Sequence, residues 1–361
     1  MRESSPESSF GAAHRHPEAL PDVIQTDSEL DDYLTRPRPV LVDFIRSLPS
    51  PLVILGAGGK MGPTLAVLAK RAADVAATPL EIIAVSRFSD KPARKWLEER
   101  GIQTLSVDLL ERKELSKLPE APNIIFLVGL KFGTSLNPSL TWAINALIPG
   151  LIMERYAGAR FVVLSTGNVY PPVPATGAGA REDVALTPRG EYANAAVARE
   201  RIFEYFSRKN GTPVAILRLN YACELRYGVL VDIARKVIAK EPIELSSGFF
   251  NCIWQRDANE MILRSLKLAH SPPVAWNLTA PAKLSVRDIA TRIAELVGLH
   301  PEFVGVESPS ALLSDSTKLC ELLGTPPTPL EGMLRWTAHW VKTGGRSLDK
   351  PTHFEVQDGR Y

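Results

Sequence analysis

From about Pro51 the chain alternates short apolar runs with longer stretches in which apolar residues recur every three to four positions. The runs are Leu52–Leu55, Glu81–Val85, Thr104–Val107, Asn123–Val128, Arg160–Leu164 and Val214–Leu217. Most are near-continuous in Val, Ile and Leu, as strands buried on both faces must be. Between them, helical spacing predicts helices at about Met61–Ala73, Pro92–Glu99, Leu110–Lys117, Pro138–Tyr156 and Glu191–Arg208. Such alternation builds βαβ units whose crossovers cover both faces of a parallel sheet. The expected fold is α/β, a Rossmann-type doubly wound parallel sheet over residues 51–220.

Beyond Asn220 the rhythm becomes helix-rich, with helices expected at Gly228–Ala239, Asp257–Ala269, Ser285–Val297 and Leu330–Val341 and a brief strand at Val274–Leu278. This predicts a smaller substrate-binding lobe over 221–345, with the chain returning to the main domain, and a tail at 346–361. Upstream, residues 1–24 mix Ser, Pro, Glu and His without periodicity, and bury too little to offset their ordering entropy, so a loose arm is expected. Leu30, Tyr33 and Leu34, then Val40, Leu41, Phe44 and Ile45, predict two short helices in an extension over 25–50. Pro171 to Pro188 is rich in Pro, Gly and Ala and reads as a loop, because strand and helix signals resume directly after it.

Charge narrows the class of partner. Lys plus Arg number 42 against 40 Asp plus Glu, a net charge of +2, and the basic residues are scattered. No nucleic-acid stripe or polybasic membrane patch is expected. Cys223, Cys252 and Cys320 lie far apart with no CxxC pair, which predicts reduced thiols and neither a metal site nor a disulfide framework. No apolar run reaches the roughly 18 residues of a membrane span, and no secretory signal pattern opens the chain, so a cytoplasmic protein is expected.

Candidate chemistry begins at Gly56-Ala-Gly58-Gly59-Lys60-Met61-Gly62, between an apolar run and a helical pattern. A glycine-rich turn in that setting presents backbone N–H groups and the positive end of a helix to a diphosphate. Gly56 permits the turn, Gly59 the approach of the diphosphate, and Gly62 the packing of helix on strand. At the end of the second strand an acidic residue would accept a ribose hydroxyl and a basic one would pair with a 2′-phosphate. This chain has Ser86 and Arg87 there, with Lys91 and Arg94 beyond, so the cofactor is expected to be NADP or NAD, with NADP favoured. Asp108, followed by Leu109, ends the third strand, either meeting the adenine amino group or capping the next helix.

Further motifs join these. Ser165-Thr166-Gly-Asn168-Val-Tyr170 ends the fifth strand and Tyr192 lies in the next helical run. Together they make the chain resemble the extended short-chain dehydrogenases, the NAD-dependent epimerase/dehydratase family, from Leu52 to about Val341. Gln255-Arg256-Asp257-Ala-Asn resembles the family's Asp-bearing helix start, and the stretch Ser314 to Gly324 its ending. The resemblance implies a nicotinamide dinucleotide, a sugar-like or nucleotide-sugar substrate and hydride transfer. It further implies that Thr166 orients the reacting oxygen and Tyr192 moves its proton, with Asn145 assisting the active-site backbone. Val128, Gly129, Leu130, Leu164 and Leu219 would border the cofactor, and Asn168, Asn220, Arg226 and Arg256 the substrate. Arg218 reads either as a neighbour of the site or as an ion-pair partner, and Trp254 as a core residue. A homodimer through 138–156 and 191–208 is also implied, with Ala193, Ala195, Ala196 and Ala198 small enough for close helix approach.

The pattern departs from the family at one place. Tyr192-Ala-Asn-Ala-Ala196 has alanine where the family's Tyr-x-x-x-Lys pair has its lysine. A phenol has a pKa of about 10, and a nearby cation favours its ionised form. Three readings are open. Another cation substitutes, with Lys131 of the Gly-Leu-Lys segment ahead of Arg199, which lies a further turn along the helix. The tyrosine works without that help. Or the protein binds a dinucleotide without turnover, in a regulatory or scaffolding role.

Overall fold

Thr26 opens the first helix, α1 (Asp27–Thr35), with a capping box: its hydroxyl accepts the Glu29 N–H while the Glu29 carboxylate accepts the Thr26 N–H. The computed structural model describes residues 20–350 together with Thr352, Phe354 and Glu355. After α2 (Pro39–Arg46) the chain runs β1 (Leu52–Leu55), α3 (Gly62–Val75), β2 (Ile82–Ser86), α4 (Lys91–Glu98), β3 (Gln103–Ser106) and β4 (Asn123–Phe126). α5 (Pro138–Trp142) passes through a π-helical turn, Ala143–Leu147, into α6 (Ile148–Arg155). Then come β5 (Arg160–Thr166), α7 (Gly190–Asn210), β6 (Val214–Leu219), α8 (Val229–Ala239), α9 (Gln255–Arg264), β7 (Val274–Leu278), α10 (Val286–Val297), α11 (Thr317–Leu323) and α12 (Leu330–Lys342).

The seven strands form one parallel sheet in the order β3-β2-β1-β4-β5-β6-β7. Strand order reverses beside β1, so the connections that follow β1 and β4 leave toward opposite faces of the sheet and frame a crevice at the strands' carboxyl ends, the usual ligand position of such sheets. One face of the sheet is covered by α2, α3 and α9 and the other by α6 and α7. A separate core gathers α1, α8, α10 and α12 around Trp254 and Trp336, forming the smaller lobe.

The structure redraws several expectations. Val274–Leu278 pairs with β6 as the sheet's seventh strand rather than lying in the lobe, and α9 packs on α3 beside it. The Leu110–Lys117 helix is reduced to a 3₁₀ segment, Arg112–Lys117, which opens only after Glu111 in extended backbone and stops where Leu118 is held extended ahead of Pro119. Residues 20–24, assigned to the loose arm, are docked: Ile24 is buried, and the carbonyls of Pro21 and Asp22 accept from Trp336 and Arg335. The rest of that arm, 1–19, lies outside the described residues, as do 351, 353 and 356–361 of the expected tail. Ala193, Ala195 and Ala196 are all buried within the protomer, so their small size serves internal packing rather than a second copy. Ala196 clusters with Val169, Tyr170 and Ala180. Among the described residues no helix is long and apolar enough to cross a membrane, and no three His, Cys, Asp or Glu are grouped to hold a metal.

Candidate functional site

At the carboxyl end of β1, Gly56 N–H donates to Val85 O and Gly59 N–H to Gly56 O, closing a tight turn before α3. Gly56 has φ +83°, and a Cβ there would lie 2.8 Å from Val128 N, so the turn sits hard against the end of β4. A Cβ on Gly62 would come within 2.5 Å of Ala57 Cα, which fixes that glycine's role in helix packing. Gly58 faces Ser86 Oγ in the same way, while Arg87 is exposed at the loop's edge. Asp108 Oδ1 accepts the Leu110 N–H, closing a local turn rather than capping a helix, since the 3₁₀ segment opens only at Arg112, and Leu109 is buried beside it.

Further along the crevice lies a cavity of about 210 Å³. β5 and its turn supply Leu164, Ser165, Thr166 and Asn168; α7 supplies Tyr192 and Arg199; and the end of β6 with the segment after it supplies Leu219, Asn220, Tyr221 and Tyr227. Lys60, Met61, Gly129, Lys131 and Thr352 complete its wall with a few backbone neighbours. Thr166, Tyr192 and Lys131, the three expected catalytic residues, therefore face one space. So do Asn168 and Asn220. The Thr166 hydroxyl accepts the Asn168 N–H at 3.2 Å, capping the 3₁₀ turn Gly167–Val169.

Arg199 is the residue that the sequence undervalued. Its guanidinium is buried, with Nη1 donating to Leu164 O at 2.7 Å and Nη2 to Asn145 Oδ1. Nε has no partner within hydrogen-bonding reach. A Cβ on Gly129 would lie 2.8 Å from Nη2, so the glycine makes room for the cation. Burial pushes the guanidinium below its ordinary value, and the charges of Tyr192 and Glu200 oppose that shift. Asn145, fully buried in the π turn, also donates through Nδ2 to the carbonyls of Leu130 and Thr141 and accepts the Leu130 N–H. Arg199 lies two turns beyond Tyr192, and two helical turns return a side chain to nearly the same face. That spacing is the signal that reading only the next turn passes over.

The two lysines reach the same cavity from opposite directions. Lys60 Nζ donates to Ala222 O and lies 3.9 Å from the centre of the Tyr227 ring. Burial pushes it down to about 8, opposed by the charges of Cys223, Glu224 and Asp232. Lys131 Nζ donates to Thr352 O at 3.3 Å and lies 5.8 Å from the Tyr221 ring. Burial, reinforced by the charge of Lys60, pushes it down to about 8 as well, with Asp232 opposing. Asn220 is 2% exposed and its Nδ2 has no partner. A buried amide left this way at a cavity wall suits a bound ligand.

Neither Arg226 nor Arg256 lines this cavity, which corrects their assignment to the substrate. Arg226 pairs with Glu224 and with Asp27 and Asp31 of α1. Arg256 Nε donates to Arg36 O and its guanidinium lies 5.0 Å from the Tyr33 ring centre. Both fasten the N-terminal extension, through contacts 195 to 220 residues apart that no local pattern encodes. Arg218 is bound to Glu200 and to the Tyr170 hydroxyl beneath β5, and Trp254 is lobe core, as expected.

Glycine turn, switch point and Tyr192 cavity together make this a dinucleotide-binding fold of the short-chain dehydrogenase kind, and the residues present fit such a cofactor: the turn leaves a cradle that side chains would fill, and Asn220 and Arg199 each offer an unpartnered group beyond it. Residues 52–227 match the model of the NAD dependent epimerase/dehydratase family. Among solved structures, the chain is similar to a UDP-glucose 4-epimerase from Thermotoga maritima solved with UDP-glucose, at 17% identity and a TM-score of 0.65, covering 81% of this chain and 99% of that one. A UDP-glucuronic acid 4-epimerase from Bacillus cereus, in complex with UDP-glucuronic acid and NAD, gives 15% identity and a TM-score of 0.66 with the same coverage. A Thermus thermophilus UDP-glucose 4-epimerase in complex with NAD gives 18% and 0.65, again with the same coverage. No curated protein matches the sequence.

Proposed function

We propose that the protein is a nicotinamide-dinucleotide enzyme, an epimerase, dehydratase or reductase acting on a hydroxyl-bearing, sugar-like substrate such as a nucleotide sugar. The observation that carries this reading is that Thr166, Tyr192 and the buried guanidinium of Arg199 share one cavity at the sheet's switch point. Thr166 holds the substrate oxygen through its hydroxyl, and Tyr192 takes or returns the hydroxyl proton. Arg199 supplies the positive charge that the absent lysine would give to a phenolate. Lys131, the cation favoured from sequence, serves the substrate side instead. When bound, the dinucleotide supplies hydride exchange; the turn Gly56–Gly62 and Leu219 would hold it, and Asn145, expected beside it, acts from behind the wall by fixing Arg199 and the Leu130 backbone. Ser86 and the exposed Arg87 support NADP, while the NAD-bound structural relatives support a nicotinamide dinucleotide generally.

A second reading, dinucleotide binding without turnover, is favoured by the apolar packing of Ala196, which leaves the usual lysine position closed. One experiment separates the two. With NAD or NADP and UDP-glucose or UDP-glucuronate, the wild type is expected to turn over, and Tyr192→Phe to be slower by about 10²-fold or more. Arg199→Met should shift the alkaline limb of the rate profile as well as its height. Tight dinucleotide binding with no turnover of any of these substrates would establish the second reading. We further propose a cytoplasmic homodimer joined through α5–α6 and α7, whose outer faces expose Trp142, Leu147 and Tyr205. Light scattering at two protein concentrations checks it.

A further inference from the structure

The proposed chemistry leaves one pair of buried nucleophiles unused. Cys223 and Cys252 are 1% and 4% exposed, both are free thiols, and both belong to the core of the smaller lobe. Far apart in the chain, they are brought together by two short strands, Ala222–Cys223 and Ile253–Trp254, which pair in parallel with Ile253 beside Ala222 and Trp254 beside Cys223. Cys252, one residue earlier, is level with Tyr221, whose carbonyl accepts the Ile253 N–H at 3.2 Å. The Cys223 sulfur is turned back to that same carbonyl, 3.3 Å away, which carries it toward Cys252. The two sulfurs are in hydrogen-bonding contact, with Cys252 donating.

The surroundings of the two thiols differ. Cys223 lies against the first turn of α8, where the Val229 and Leu230 N–H groups point to its sulfur, and the charge of Lys60 acts on it from the glycine turn. Gly228 is what lets the sulfur in, since a Cβ there would lie 2.9 Å from Cys223 Sγ. Helix N-termini and nearby lysines favour a thiolate. The Cys252 hydrogen bond, Lys60 and those N–H groups hold the Cys223 thiol below its ordinary range against the effect of burial, whereas the same bond and burial push Cys252 well up. One sulfur is thus prepared to attack while its neighbour keeps its proton. Access comes from the cavity, because Ala222, Gly228 and Val229 line it and the Cys223 sulfur sits directly behind them.

We infer that Cys223 and Cys252 are a redox pair set behind the cavity wall, which closes to a disulfide when hydrogen peroxide enters. The Cys223 sulfur attacks one peroxide oxygen, the O–O bond breaks, and the oxygen that leaves as hydroxide takes the Cys223 proton to become water. Cys223 is left as a sulfenic acid. The Cys252 sulfur then attacks the Cys223 sulfur, the S–S bond forms, the S–O bond breaks, and a second water leaves with the Cys252 proton. The two sulfurs lose two electrons and the peroxide gains them. A dithiol reverses the step by exchange. Drawing the strands from contact to a covalent bond pulls on Ala222, whose carbonyl holds Lys60, so the bridge bears on the cavity wall. None of this chemistry needs a dinucleotide or a sugar.

The test treats the full-length protein with a small excess of hydrogen peroxide, alkylates the remaining thiols and maps the peptides by mass spectrometry. The wild type is expected to yield a linked Cys223–Cys252 peptide pair, lighter by two hydrogens, and to regain both thiols in dithiothreitol. Cys320, which is more exposed but whose thiol burial pushes up, should react about tenfold more slowly. Cys252→Ser should stop at a Cys223 sulfenic acid, trapped by dimedone, and Cys223→Ser should leave Cys252 a thiol. Circular dichroism reports whether each variant is folded, and alanine replaces serine where the hydroxyl is not tolerated. The wild-type map decides by itself: oxidation of Cys320 ahead of the pair, or a pair that stays reduced until the protein is unfolded in urea, would overturn the inference. So would a folded Cys223→Ser protein whose Cys252 oxidises at the wild-type rate.

Discussion

Two groups of enclosed positive charge lie within this crevice and its walls, and they are built on opposite principles. Arg218 and Arg226 are each matched by carboxylates: Glu200 for the first, Glu224, Asp27 and Asp31 for the second. Lys60, Lys131 and Arg199 are satisfied instead by carbonyls, an amide oxygen and aromatic rings. The matched arginines are finished inside the protein and act as fasteners, one beneath the end of β5 and one between the lobe and α1. The cavity cations are held instead by neutral groups, with the charges of Asp232 and Glu200 acting on them from farther off. A buried arginine thus says little about ligand binding until its counter-charges are counted.

The sharpest way to break this contrast is to unmatch a matched charge. Arg218→Met leaves Glu200, 3% exposed, without its cation, and is expected to cost about 3–5 kcal/mol in urea unfolding. Arg218→Met with Glu200→Leu should recover much of that loss. If the single substitution costs nothing, the pair is not the fastener described. Removing a cavity charge should do the reverse. Lys60→Met is expected to stabilise the ligand-free protein by up to about 3 kcal/mol at neutral pH, the equivalent of the shift to about 8 from the ordinary 10.5.

The sign of that second effect is fixed by where the protons sit. Below pH 8 both folded and unfolded chains carry the charge, and the folded one bears its desolvation. Between about 8 and 10.5 the folded chain sheds the proton first, so wild-type stability gains with rising pH and the advantage of the variant shrinks. Lys131, Cys223, Glu224, Arg226 and Asp232 surround this amine and blur the window. Chemical unfolding at pH 7 and pH 10 measures it, and an advantage constant across that range would contradict the desolvation account. The baseline is an exposed matched pair: Arg287→Ala, breaking the contact with Glu307, should change stability by less than about 1 kcal/mol. A larger loss there would mean that exposure is a poor guide to what pairing contributes.

The sheet was largely legible in the sequence because a parallel sheet buried on both faces must be written in continuous apolar runs. Val274–Leu278 was recognisable as a strand, but its place beside β6 depends on pairing across more than fifty residues and is invisible locally. The glycine turn was legible for the same reason as the strands: its backbone geometry admits few residues. The cavity was less so. Lys60 stood among the turn residues, yet nothing in a heptapeptide tells which way a lysine will lean. Arg226 and Arg256 looked like substrate residues because a charge near a cleft is ambiguous until its partner is known, and their partners lie in the N-terminal extension. The four-residue interval after Tyr192 exposed what was missing at Ala196, whereas Arg199 came into view only when the helix was followed for another turn.

The π turn at Ala143–Leu147 carries one consequence of a different kind. Such a turn holds one residue more than an α-helical turn, and losing that residue would rotate α6 relative to α5 by about 100°. Asn145 would then no longer reach both Leu130 and Arg199. In the language of genomes, three nucleotides separate a helix that props the cavity cation from a more regular one that does not. An in-frame deletion of Ala146 is thus a smaller edit than many point-mutant series, and it would disarm the site while leaving every residue named in it unchanged.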